Sequence, residues 1–153
     1  MERRLLLLAA LALACAPRLL PGTDIKDSPD SRAIAAQVEA YRQAVERLDP
    51  PGIVALTAPV YFDNSGTPSP EDDVDRAGLE KRLQDLKQLT DVRFQLTLRR
   101  IDVQGDTAGA EVFFDEYYRV KTPNGSVVPR HDADVHRLAL KKIDGKWLFV
   151  SGL

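Results

Sequence analysis

The sequence predicts an α+β domain, with N-terminal helices laid on one face of a curved, four-stranded antiparallel sheet. Three observations predict it. Apolar residues of the first half recur at helical spacing, and those of the second half alternate. Pro123-Asn124-Gly125-Ser126 and Asp144-Gly145 then supply hairpin turns between the alternating runs.

Each element has its own local reason. Ser28-Pro29-Asp30 opens a helix with a hydroxyl cap, a proline at the first turn and an acid at the positive dipole end. Ile34, Val38, Tyr41, Val45 and Leu48 follow on one face. Asp49-Pro50 caps a short second helix holding Ile53, Val54 and Leu56, which stops before Pro59. From Asp63 to Asp75 the chain is polar, and Gly66, Pro68 and Pro70 forbid regular structure there. A third helix is predicted from about Asp75 to Leu89, with Leu79, Leu83 and Leu86 turned inward. Alternation then sets in at Val92, Phe94, Leu96 and Leu98, and continues from Ala108 to Val120 and through Leu138 and Leu140. Trp147 to Val150 forms a short apolar end strand, and the chain contains no internal repeat.

The segment before the domain reads as an export signal. Met1-Glu2-Arg3-Arg4 precedes an apolar run from Leu5 to Ala14. A membrane-spanning helix needs about twenty apolar residues, so this run is too short to span and fits the core of a secretory signal. Leu11-Ala12-Leu13-Ala14-Cys15 resembles the bacterial lipobox, in which the cysteine is lipidated and becomes the new N-terminus. Residues 1–14 are then the signal peptide, 15–29 a flexible tether carrying lipidated Cys15, and 30–153 the domain. The alternative is an ordinary signal peptide in which Cys15 is incidental. Cys15 is the one cysteine in the chain, which excludes an internal disulfide, and acylation would account for an unpaired thiol in an oxidising compartment. Ala16 is not the aspartate of an inner-membrane retention signal, so a Gram-negative host would place the protein on the periplasmic face of the outer membrane.

The 153 residues carry a net charge of −2, and 29% are charged. Removing residues 1–14 takes away two arginines and one glutamate and leaves the remainder slightly more acidic. Nothing here offers the basic surface that nucleic acid requires, so no nucleic-acid partner is expected.

The order of elements and certain residues resemble the nuclear transport factor 2-like superfamily, which includes SnoaL-like cyclases and ketosteroid-isomerase-like proteins. The resemblance rests on Val38-Glu39-Ala40-Tyr41 with Ala44, Asp49 with Leu56, Tyr61-Phe62, and the closing run Leu138-Ala139-Leu140, Asp144-Gly145-Lys146-Trp147 and Val150-Ser151-Gly152. It implies a cystatin-like cone, in which a strongly bent sheet wraps the first helix and leaves a pocket at its open end. Some members are enzymes, and others bind small molecules or dimerise through the sheet. The acid–base residues of the enzymes have no matching positions here.

Polar residues on the inward parity of the strands are the site candidates. Glu116 lies between Phe114 and Tyr118, Asp134 and His136 precede Leu138, and Arg100 follows Leu98. With Tyr41 and Tyr61, the residues Arg100, Glu116 and His136 are expected to line a pocket for a small hydrophobic ligand. His136 with Asp134 or Glu116 would be the proton-transfer group of an enzyme, since an acid beside a histidine orients it and sets its pKa. The same residues would equally serve as a solvent-facing ion-pair cluster, Arg100 with Glu116. The acids Asp63, Glu71, Asp72, Asp73 and Asp75 lack the spacing of a calcium loop, His131 and His136 lack that of a zinc site, and no metal or cofactor is expected. Phe113 and Tyr117 fall on the outer face of the sheet and suggest a homodimer contact.

Overall fold

A computed structural model describes residues 18–153. The predicted signal segment and Cys15 lie outside the described residues. The first helix, α1 (Pro29–Glu46), begins as its cap residues dictate: the Ser28 hydroxyl accepts from the Ser31 amide, and Ser31 Oγ accepts from the Ser28 amide. This is a capping box with serine in the place usually held by a glutamate. Ile34, Val38 and Ala44 are buried on its inner face.

Asp49 accepts from the Gly52 amide and caps α2 (Pro50–Ala55). The chain then runs onto the sheet edge, where the Ala58 amide donates to the Phe149 carbonyl and the Phe149 amide donates to that of Leu56. Two short strands, β1 (Phe62–Asp63) and β2 (Val74–Asp75), pair across the polar loop. Asp75 caps α3 (Arg76–Arg82), which tightens into a 3-10 turn over Leu83–Gln88. The predicted third helix is therefore α-helical only in its first half.

The main sheet has the order β3 (Leu89–Gln104), β4 (Thr107–Lys121), β5 (Val127–Ile143), β6 (Lys146–Ser151), all antiparallel. Hairpins join successive strands, the last two at the predicted turns, and Asp144 and Gly145 both adopt positive φ as a type I′ turn demands. The core lies between α1 and the sheet, where Ile34, Ala110, Val112, Leu138, Leu140 and Phe149 are almost fully enclosed. Trp147 joins it with its indole N–H donating to Asp30 Oδ1 at 3.0 Å, and Lys142 Nζ donates to the same oxygen at 2.7 Å.

The sheet is longer than the helix that covers it. Beyond Leu138 toward the β4–β5 turn the inner face of β5 is exposed, and a bowl opens there. Strand β3 carries a bulge between Leu98 and Arg100, of the kind that increases twist.

Part of the predicted tether is folded. The Leu20 amide donates to the Ile25 carbonyl and the Asp27 amide to that of Arg18, closing a small turn in which Leu20 and Ile25 are buried. Pro21-Gly22 forms the bend, with Gly22 at φ 73°. Ser31 Oγ donates to the Lys26 carbonyl and ties the turn to the start of α1. Two apolar side chains with somewhere to go hold an otherwise irregular segment.

Candidate ligand pocket

The bowl is a cavity of about 240 Å³. Its floor is the inner face of the sheet, including Phe94, Leu96, Val112 and Leu138. Tyr41 and Val45 of α1 close one side, and Leu79, Leu83 and Leu86 close another. Leu153 completes the wall because Gly152 turns the chain inward at φ 93°. A side chain at position 152 would bring Cβ to 2.5 Å from the Arg137 carbonyl oxygen, so only glycine fits. Asp63 Oδ2 accepts from the Gly152 amide at 2.7 Å, and the Leu153 amide donates to the Tyr61 hydroxyl.

Three of the sequence-predicted residues, Tyr41, Glu116 and His136, line this cavity. Tyr41 stands edge-on to Phe94 and to Phe149, each 5.8 Å away between ring centres. Burial, and next to it the charge of Glu116, push its hydroxyl well above the usual phenol range. Glu116 sits between Phe94 on β3 and Asp132 on β5. Its pKa is raised, first by burial and then by the Asp132 carboxylate. Neither the Tyr41 hydroxyl nor the Glu116 carboxylate makes a side-chain hydrogen bond or ion pair among the described residues. His136 is exposed and packs edge-on to Phe114 at 4.6 Å between ring centres.

The other expected residues lie elsewhere. Arg100 faces outward and pairs with Asp102 at 2.9 Å, not with Glu116. The bulge is the cause: Leu98 pairs with Val112 and Arg100 with Glu111, so the extra residue Arg99 shifts the parity of the strand. Tyr61 is buried behind the wall, and its hydroxyl donates to the Leu153 carbonyl at 3.3 Å, with its pKa pushed up to about 12 chiefly by burial. It therefore supports the pocket without lining it. Asp134 is exposed and accepts from the Val135 amide, so the expected acid–histidine pair with His136 is not assembled. Sequence parity missed Leu79, Leu83, Leu86 and Leu153 as pocket residues, because an inward leucine looks the same whether it meets a core or a cavity.

The loop acids have local partners: Asp72 accepts from Thr67, Asp63 from Ser65 and Gly152, and Asp75 from Gly78. On the outer face Tyr117 stacks on His131 at 4.0 Å, His131 Nε2 meets Asp115 at 2.8 Å, and the Arg99 guanidinium lies over Phe113 at 4.9 Å. Among the described residues no helix is long and apolar enough to cross a membrane.

The sequence matches no family model and no curated protein. Among solved structures, a scytalone dehydratase candidate from Novosphingobium aromaticivorans is 16% identical, with a TM-score of 0.68 over 80% of either chain. A ketosteroid isomerase-like protein from Erwinia carotovora atroseptica is 19% identical, with a TM-score of 0.64 over 82% of this chain and 95% of the other. A dehydratase candidate of the nuclear transport factor 2-like family from Streptomyces avermitilis is 16% identical, with a TM-score of 0.62 over 81% of this chain and 95% of the other.

Proposed function

We propose, from the nuclear transport factor 2-like fold that this chain shares with those structures, that the domain binds a small, largely apolar molecule while a lipid on Cys15 holds it at a membrane surface. The observation that carries the binding reading is the cavity: an apolar bowl in which Tyr41 and Glu116 offer polar groups without protein partners. Ligand sites are concave, mostly apolar and fitted with a few such groups. A neutral fluorescent probe, N-phenyl-1-naphthylamine, should bind saturably, and Leu83→Trp, which fills the bowl, should abolish that binding in a folded protein. Undiminished binding by the variant would count against the cavity. The address is tested separately, since Cys15→Ser should move the protein from the membrane to the soluble fraction.

One observation favours a catalytic reading. A carboxyl with a raised pKa in an apolar cavity is suited to move a proton. Glu116, not His136, would then be the acting group. Exchange of solvent deuterium into hydrophobic ketones, lost in Glu116→Gln, would support it. Self-association is the accompanying proposal for Phe113 and Tyr117, and a concentration-independent monomer in sedimentation would remove it.

A further inference from the structure

Glu116 is paired across β3 with Phe94 and across β5 with Asp132. Like charges directly opposite each other in a sheet are destabilising. Here no cation relieves them: among the described residues neither Glu116, Asp132 nor Asp134 makes an ion pair. Asp132 and Asp134 each accept only from the next backbone amide. Of the nearby arginines only Arg42 and Arg119 are paired, each with other acids, and Arg130, on the same face of β5 as Asp132 and two residues from it, makes no ion pair among the described residues. Arg42 holds Glu39 and Glu46, Arg119 holds Asp91, and Arg130 lies with Arg93 and Arg119 in a separate groove. Glu46, the nearest acid on α1, accepts from the Phe94 amide and from Arg42.

Aromatic rings line the cavity beside Glu116, with His136 on the same face of the sheet. Phe94 and Phe114 lie 6.3 Å apart between ring centres, and Tyr41 meets Phe94 edge-on. Carboxylates beside aromatic faces are the chemistry that recognises alkylated ammonium groups, through charge and through the ring quadrupole. The cavity floor behind them is hydrocarbon.

We propose that the cavity takes an amphiphile with a cationic, alkylated amine head, the head resting among Glu116, Asp132, Phe94 and Tyr41 and the apolar tail on the sheet. This rests on the ligand-binding reading above and names its ligand class. The bowl of about 240 Å³ suits a short alkyl tail.

Calorimetric titration with octyltrimethylammonium, n-octanol and octanoate tests it. The ammonium should bind about fivefold more tightly than octanol, and octanoate more weakly than either. Glu116→Gln should lower the ammonium affinity far more than that of octanol and so erase most of the ammonium preference. Phe94→Leu should lower the ammonium affinity more than that of octanol. Asp132→Asn, at an exposed position, gives a second reading of the charge effect if Glu116→Gln does not fold. Equal affinity for the three probes, or a preference for octanoate, overturns the cation assignment while leaving the cavity as a binding site. Failure of all three, octanol included, to bind folded protein removes the binding reading itself.

Discussion

Glu116 carries an energetic penalty in the folded protein, and the sign of its effect follows from its surroundings. Its folded-state pKa lies above the ordinary value of 4.5. Between those two values the native state holds more protons than the unfolded state, so stability falls as pH rises through that window. Above the folded-state value the penalty is fully present. Of the ionisable groups at this end, Asp132 of β5 reinforces it, while Glu46 of α1 is neutralised by Arg42. Glu116→Gln should therefore raise stability at neutral pH by about 0.5 kcal/mol, the scale of a cross-strand like-charge pair, and gain nothing below pH 4. Thermal melts across pH would check both. Asp30 behaves oppositely. Its pKa is lowered, first by the hydrogen bond from Lys142 and then by that from Trp147. Its contribution is present above the ordinary value of 3.8 and lost as pH falls through the depressed one. Trp147, the one tryptophan in the chain, reports it directly: its fluorescence should change on acidification and shift likewise in Asp30→Asn at neutral pH.

At the scale of elements, the pocket depends on structures that are individually slight. α1 starts from a reciprocal serine cap, so Ser28→Ala should cost about 1 kcal/mol in denaturant unfolding. The Gly152 turn is less forgiving. Alanine there meets both a positive φ and a Cβ contact of 2.5 Å with backbone, and should cost about 2 kcal/mol or more. Because Leu153 is part of the wall, the same variant should also weaken probe binding, whereas Ser28→Ala should not. The 3-10 turn presents Leu83 and Leu86 to the cavity where a continued α-helix would have rotated them through a different angle. The bulge at Arg99 does the reverse for Arg100, removing a charge from the inner face.

For the whole molecule, the folded turn from Arg18 to Asp27 alters the expected geometry at a membrane. With Cys15 acylated, only three residue steps separate the lipid from Arg18, a reach of at most about 10 Å. The domain would then ride against the headgroups instead of swinging on a long tether. Protease digestion of membrane-bound protein should find the segment from Arg18 to Asp27 protected, and Leu20→Asp should expose it to cleavage. Rapid cutting within that turn in the unaltered protein would show the longer tether.

Much of the fold was legible in the sequence because its signals are local. Capping residues, the 3.6 and 2.0 periods and the Asp144-Gly145 turn each act over a few neighbours. The alternation around Glu116 and His136 placed them on the inner face of the sheet for the same reason. Arg100 shows where that reading ends, since one inserted residue inverts parity and no local signal marks the bulge. Tyr61 and the four wall leucines show the same limit. Whether a buried side chain meets a hydroxyl's partner, another side chain or an empty cavity depends on segments far apart in the chain. Only the tertiary structure decides that, because the cavity is what remains where a long sheet outruns the short helix that covers it.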